Sequence, residues 1–190
     1  MSRVMEDTTI VQLFWDRNEQ GLQVASNKYG HLCTSIALNI LGNQEDAEEC
    51  VNDTFLAAWN SIPPQRPAIL APFLGKIARN LAINRYKHNR ADKRGGGNTP
   101  VVIEELSEVI PGGISPENEL LSKEMLSIIS RFLSTLSPDK RKLFVRRYWY
   151  ADSVSAIASA TGLTENNINV TLSRLRKQLH QLLVEGGIDV

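Results

Sequence analysis

Apolar residues recur at intervals of three and four positions along almost the whole chain of 190 residues, and no stretch shows the strict alternation of a half-buried strand. This period places apolar side chains on one face of an α-helix. Between its Gly and Pro interruptions, the pattern predicts helices at about 6–18, 20–29, 31–41, 44–61, 71–94, 116–135, 138–149, 154–161 and 165–184. We therefore expect an all-α fold.

A segment rich in Gly, Pro and acidic residues interrupts the helical pattern in the middle of the chain: KRGGGNTPVVIEELSEVIPGGISPENE. Its composition is typical of a flexible linker, and Ser115 followed by Pro116 is a good start for the next helix. The expected organisation is two small helical domains, 1–94 and 116–190, joined by a linker over 95–115. Each domain is long enough to bury a core of its own.

Charge is distributed in blocks, although the net charge is zero. The balance of Lys and Arg against Asp and Glu is −6 over residues 1–62, +7 over 63–94, −4 over 95–137 and +3 over 138–190. Basic blocks on a globular chain are candidate nucleic-acid footprints, although a solvated helix face has the same composition.

Several classes of function find no support in the sequence. His31, His88 and His180 are scattered, with no Cys or acid at metal-ligand spacing, so we expect no metal, no cofactor and no enzymatic activity. No apolar run approaches the ~20 residues of a membrane span and the N-terminus is a poor signal peptide, so a cytoplasmic protein is expected. Cys33 and Cys50 fall on apolar helix faces as small hydrophobes, with a redox pair as the alternative.

The segment 153–184 has the pattern of a helix-turn-helix. Ser153 and Thr164 are each positioned to cap a helix, and Gly162 falls where the first helix must end. In this motif the second helix enters the major groove. Its inward stripe is predicted at Ile168, Leu172, Leu175 and Leu179. Its DNA-facing residues are predicted at Asn166, Asn167, Asn169, Ser173, Arg174 and Lys177.

A basic cluster on the preceding helix is positioned to hold flanking phosphates and comprises Lys140, Arg141, Lys142, Arg146 and Arg147. The alternative for the whole segment is an ordinary helical hairpin with a polar face.

Two helices of the first domain have contrasting surfaces. The 44–61 helix has a face made of Glu45, Glu49, Asp53, Leu56 and Asn60, which is acidic around one leucine. The 71–94 helix has an apolar stripe of Phe73, Leu74, Ile77, Ala78 and Leu81 beside basic and amide side chains, a composition that suits a nucleic-acid strand. A solvated face is the alternative for both helices.

The order of these elements resembles a known family. The stretches DAEECVNDTFLAAW and PFLGKIARNLAINRY, followed by a linker and a terminal helix-turn-helix, closely resemble small bacterial sigma factors of the extracytoplasmic-function group, in the sigma-70 superfamily. The resemblance covers about residues 7–94 and 116–184.

The resemblance implies a protein that binds core RNA polymerase and promoter DNA and has no catalysis of its own. The acidic face of the 44–61 helix would dock on the largest polymerase subunit, with Leu56 as the apolar centre of a charged rim. The loop from Pro63 to Leu70 would hold a base that has left the DNA stack. The −10 element would be contacted by Gln65, Arg66, Lys76, Arg79, Asn80, Asn84 and Lys87, and the −35 element by the DNA-facing residues given above. An anti-sigma partner is also expected.

The sequence departs from the family pattern at three positions of the helix-turn-helix. Asn169 and Thr171 stand where similar proteins carry basic residues, and Ala156 stands where many carry an acid. The −35 preference is therefore expected to be unusual. Two other functional hypotheses stay open at this point. The protein could be a stand-alone helix-turn-helix regulator that does not bind core polymerase, or a helical adaptor that binds only proteins.

Overall fold

The computed structural model describes residues 5–92, 105 and 119–188. Within these ranges it contains helices and no strand, which confirms the all-α fold. The principal helices are α1 (Asp7–Trp15), α2 (Gln20–Leu41), α3 (Gln44–Ser61), α4 (Leu70–Asp92), α5 (Glu119–Thr135), α6 (Pro138–Tyr148), α7 (Val154–Thr161) and α8 (Glu165–Glu185).

The chain divides into two compact units, Met1–Asn98 and Thr99–Val190. The first contains α1 to α4 and the second contains α5 to α8. The expected start of α5 at Ser115 and Pro116, and most of the expected linker, lie outside the described residues. Where the helices are described, most observed ends fall within one or two residues of the predicted ones.

Helix α2 corrects one prediction, because residues 20–29 and 31–41 form a single helix rather than two. The predicted break fell at Gly30, but one glycine inside a helix costs only about 1 kcal/mol relative to alanine. Burial of the following turns against α3 and α4 outweighs that cost, since Cys33, Ile36 and Ala37 are inaccessible to solvent.

Helix α1 is also shorter than predicted, ending at Trp15 rather than near residue 18. Arg17 adopts a left-handed backbone (φ 55°), and its Nη1 donates a hydrogen bond of 2.6 Å to the carbonyl of Trp59. A Cβ at Gly21 would meet Leu13 Cβ and Phe14 Cδ2 at 3.0 Å. The absence of a side chain at Gly21 therefore allows α2 to begin directly against α1.

The core of the first unit lies between α2, α3 and α4, with α1 covering one side. Helix α3 begins at the Asn43 cap, whose side chain accepts a hydrogen bond of 2.8 Å from the Glu45 N–H. The pair of prolines that follows Ile62 ends it, as predicted. Within residues 70–89, the buried apolar side chains of α4 are Leu70, Leu74, Ala78 and Ala82, while the predicted stripe members Phe73, Ile77 and Leu81 are partly exposed.

Asp7 joins three helices of the first unit and was not singled out by the sequence pattern. Its Oδ1 accepts hydrogen bonds from Lys28 Nζ at 2.7 Å and from the Tyr29 hydroxyl, and its Oδ2 accepts the Leu70 N–H at 2.8 Å. Asp7 thereby caps the first turn of α4 from another helix. Burial alone would raise the Asp7 pKa, but the hydrogen bonds from Lys28, Tyr29 and Leu70 outweigh it and lower that pKa.

The second unit is built around α8, whose buried stripe is Ile168, Leu172, Leu175, Leu179 and Leu183. The first four confirm the predicted stripe. Phe132 of α5 packs edge-on against Phe144 of α6 with ring centroids 5.5 Å apart, and the tilted ring of Tyr148 contacts Phe144 at 4.6 Å. These rings join α5 to α6, and both helices also contact α8, so the three helices share one core.

We predict that Asp7→Asn lowers the free energy of unfolding of the first unit by about 1.5–3 kcal/mol, because it removes the charge from three hydrogen bonds. Since the folded pKa of Asp7 is lowered, its stabilisation is complete above the unfolded pKa and is lost as pH falls through the folded value. Denaturant unfolding of both proteins between pH 7 and pH 2 should show the difference shrinking in acid. The exposed neighbour Glu6→Gln is the control, and a difference that is independent of pH would contradict the assignment.

Candidate functional sites

The acidic face of α3 is exposed along its whole length. Glu45, Glu49, Asp53 and Asn60 are exposed, and Leu56 at their centre has 57% of its surface accessible. The opposite face is buried through Ala47, Cys50, Thr54, Phe55 and Ala58. Because the buried face fixes the rotation of the helix, the acidic face points to solvent as a rigid surface. Asn52, which was not predicted as part of this face, is exposed one turn before Leu56.

Two acids on α3, Asp46 and Glu49, have partners on α4. Arg85 of α4 forms ion pairs with Glu49 and, at 3.4 Å, with Asp46. Asn89 Nδ2 also donates to Asp46 at 3.3 Å. The charge of Glu49 is therefore partly neutralised by Arg85. Among the described residues, no cation forms an ion pair with Asp53. Helical periodicity cannot reveal these pairs because they join different helices.

The predicted −10 residues on α4 divide into two groups. Lys76, Asn80, Asn84 and Lys87 are all exposed, and their three- and four-residue spacing places them on one side of α4. Arg79 lies off that side and is partly buried, and this burial lowers the pKa of its guanidinium. Within the described residues no carboxylate pairs with Arg79, which leaves a partly desolvated cation with capacity to bind an anion.

The loop between α3 and α4 is held against α1. The Arg66 guanidinium contacts Gln12 Oε1 and lies 5.1 Å from the centre of the Trp15 ring. The Gln65 and Arg66 side chains are exposed, and Ile69 at the end of the loop has 61% of its surface accessible. Arg66, one of the predicted −10 residues, therefore has partners on α1 in this structure.

The helix-turn-helix forms as the sequence predicts. Ser153 Oγ accepts the Ala156 N–H at 3.1 Å, and Thr164 Oγ1 accepts the Asn167 N–H at 3.3 Å. Gly162 takes the left-handed conformation (φ 73°) between the two helices. The predicted DNA-facing side chains on α8 lie opposite its buried stripe. Asn166, Asn167, Asn169, Arg174 and Lys177 are exposed, and Ser173 is partly exposed.

The basic cluster on α6 corrects a prediction, because three of its five members have partners inside the second unit. Arg141 donates to the carbonyls of Leu133, Ser134 and Leu136 and caps the end of α5. Arg146 pairs with Asp152 at 2.8 Å. Arg147 is buried and pairs with Glu105 at 3.0 Å. Lys140 and Lys142 remain exposed.

Two kinds of site, a metal-ligand cluster and a membrane-spanning helix, were sought in the part of the chain that is described. No group of three or more His, Cys, Asp or Glu is placed to hold a metal ion there. Within the same residues no helix has both the length and the hydropathy needed to cross a bilayer.

Both cysteines are buried, as predicted, and neither forms a disulfide. Burial raises the pKa of Cys33 to about 12 and that of Cys50 to about 11. At pH 8 both cysteines are therefore almost entirely thiols, and the thiolate is the form that reacts.

We predict that neither cysteine reacts with an aromatic disulfide reagent at pH 8 in the folded chain, and that both react within minutes in denaturant. The absorbance of the released thiolate measures the reaction. Rapid reaction of one thiol in the folded chain would contradict the burial and revive the redox alternative.

Comparison with known proteins gives two family matches, one in each unit. The family described as Sigma-70 region 2 matches residues 26–91, and the family described as Sigma-70, region 4 matches residues 126–179. Together the two matches cover more than half of the chain. The first contains α3, α4 and the loop between them, and the second contains the helix-turn-helix.

Three individual relatives, each named as an RNA polymerase sigma factor, are similar to this chain at low sequence identity. The RNA polymerase sigma factor NccH of Alcaligenes xylosoxydans xylosoxydans is 23% identical over 94% of this chain and 97% of its own length. The ECF RNA polymerase sigma factor SigW of Bacillus subtilis is 24% identical, over 85% of this chain and 88% of SigW. The probable RNA polymerase sigma factor RfaY of Xanthomonas campestris pv. campestris is 27% identical over 80% of this chain. That alignment spans only 38% of RfaY, so the chain covers well under half of this relative.

Proposed function

The chain belongs to the sigma-70 family of RNA polymerase sigma factors, and on that premise we propose that it binds core polymerase through α3 and reads the −10 and −35 promoter elements with its two units. The observation that supports this most directly is the exposed acidic face of α3 with Leu56 at its centre. An apolar side chain that becomes buried on binding, surrounded by a charged rim, is typical of a specific, reversible interface.

Two kinds of contact are proposed for the α3 face. Leu56 supplies apolar area that leaves water on binding, and the acids Glu45 and Asp53 steer the approach of a basic partner surface. Glu49 contributes less in this proposal, because Arg85 already shares its charge. Asn60 extends the face by one turn, at the end next to the proline loop.

The −10 element is assigned to α4 and the loop before it. Lys76 and Lys87 are exposed cations suited to phosphates, while Asn80 and Asn84 offer amides to bases on the same side. Gln65 and Arg66 contribute from the loop. Arg79 is proposed to take a phosphate, because its guanidinium is partly desolvated without a carboxylate partner among the described residues.

The −35 element is assigned to the exposed side of α8. Asn166, Asn167 and Asn169 are suited to adenine edges, and Arg174 to guanine. Ser173 and Lys177 complete this surface toward the middle of the helix. With Arg146 and Arg147 paired internally, Lys140 and Lys142 are the cations of α6 that are left for flanking phosphates.

A stand-alone helix-turn-helix regulator is not favoured, because the region 2 match in residues 26–91 has no role in such a protein. An anti-sigma partner, a cytoplasmic location and the absence of catalysis are further parts of the proposal. They rest on the family resemblance.

We predict that Asp53→Lys with Leu56→Arg abolishes binding of the full chain to core polymerase. The double change reverses one charge and places another at the apolar centre of the interface, so affinity should fall at least a hundredfold. Pull-down and fluorescence titration with purified core measure the loss.

The matched control is Glu19→Lys with Leu38→Arg, which likewise turns one exposed acid into lysine and one exposed leucine into arginine, at the N-cap and on the surface of α2. Circular dichroism should show unchanged helix content in both variants. If the α3 variant binds core as tightly as the control, the interface is assigned to the wrong surface.

We predict that Arg174→Ala weakens binding to a −35 duplex by about 1–3 kcal/mol, because the exposed guanidinium contacts a base edge. The loss should be confined to duplexes that carry the preferred base pair. Lys177→Ala is the comparison and should weaken all duplexes alike. A uniform loss for Arg174→Ala as well would instead mark Arg174 as a phosphate contact.

A further inference from the structure

Glu105 is held by three side chains of the second unit, although the sequence pattern places it in the linker. Its carboxylate accepts hydrogen bonds from Arg147 Nε at 3.1 Å and Nη2 at 3.0 Å, a two-point contact. The Tyr148 hydroxyl donates to the same carboxylate at 3.0 Å, and Arg176 Nη1 lies 3.4 Å from Glu105 Oε2. Arg147 and Tyr148 belong to α6, whereas Arg176 belongs to α8.

These groups form a built carboxylate site rather than a surface ion pair. The Arg147 side chain is only 5% exposed, and Glu105 and Arg176 are 17% and 18% exposed. Arg147 Nη1 also donates to the carbonyl of Asp152 at 2.9 Å, and Arg176 Nη1 donates to the Tyr148 hydroxyl at 2.6 Å. Burial raises the pKa of Tyr148, so its hydroxyl stays protonated as a donor to Glu105. A buried guanidinium of this kind needs a charged partner.

We propose that Arg147, Tyr148 and Arg176 form a receptor that anchors the linker at Glu105 and thereby sets the working length of the tether between the two units. Glu105 lies 13 positions after Asp92 and 14 positions before Glu119. The covalent path from the end of α4 to this anchor runs through residues 93–104, and residues 106–118 follow the anchor in the sequence.

The anchor halves the reach of the tether. Thirteen residue steps span at most about 45 Å, whereas the 27 steps from Asp92 to Glu119 span at most about 90 Å. A shorter tether raises the effective concentration of one domain at its element once the other is bound. This consequence at promoters rests on the proposed function, but the anchor itself does not.

Two insertions of the same twelve Gly and Ser residues test the anchor in the full chain. One is placed between Gly96 and Gly97, before Glu105, and the other between Gly112 and Gly113, after it. Spin labels at His31→Cys and Ser130→Cys, both exposed, report the distance distribution between the units. The native cysteines are buried and do not take the label.

The proposal predicts that the insertion before Glu105 lengthens and broadens the distribution, and that the insertion after Glu105 leaves it unchanged. Equal lengthening by both insertions would overturn the anchor. Glu105→Gln combined with the later insertion should restore the lengthening, whereas Glu104→Gln with the same insertion should not. Neither insertion alters a residue of the receptor, so misfolding of that site does not confuse the comparison.

A second experiment measures the affinity of each variant for a DNA fragment that contains both promoter elements. The earlier insertion should weaken binding about two- to threefold, from the −3/2 power of tether length, and the later one should leave it unchanged. If the wild-type chain fails to select promoters, the proposed function fails while the spin-label result still decides the anchor. If promoter selection holds and both insertions behave alike, only the anchor is rejected.

Discussion

Burial of one face of α3 is the constraint on which the account of the first unit depends. Ala47, Cys50 and Ala58 pack against α2 and α4 with no accessible surface or almost none, so α3 cannot rotate about its axis. The face that carries Leu56 is thereby fixed toward solvent. A rigid helix face loses little conformational entropy on docking, which lets a modest apolar centre suffice for specific association. The same packing orients α4, and with it the exposed side assigned to DNA.

Charge counts along the chain overstate the surface that is available to nucleic acid in the second unit. All three arginines of α6 have partners in the fold: Arg141 caps α5, Arg146 pairs with Asp152, and Arg147 is buried against Glu105. Arginine suits such internal roles because its planar group makes several fixed hydrogen bonds at once. The exposed lysines of α6 and the outer side of α8 then carry the proposed DNA contacts. A basic block in a sequence therefore predicts cations, and only the structure separates the free cations from those with partners.

Features set by neighbours in sequence were predictable, and features set by distant residues were not. The caps Ser153 and Thr164, the turn at Gly162 and the stripe of α8 follow from local chemistry and helical period, and all of them are confirmed. The continuity of α2 was missed because tertiary packing overrides one glycine. Asp7 with Leu70 and Glu105 with Arg147 lie 63 and 42 positions apart, a separation that no periodic pattern reports. The individual DNA and polymerase contacts are proposals, since they depend on molecules outside the chain.

In the proposed function, this chain is the subunit that gives core polymerase its choice of promoter. The most direct test is transcription by purified core RNA polymerase on a bank of promoter fragments, with and without the full chain, read as the positions and amounts of 5′ ends. The account predicts new, specific start sites that require the chain and need no ATP hydrolysis for DNA opening. Identical transcripts in the two reactions, with the chain shown to be folded and in excess, would contradict it.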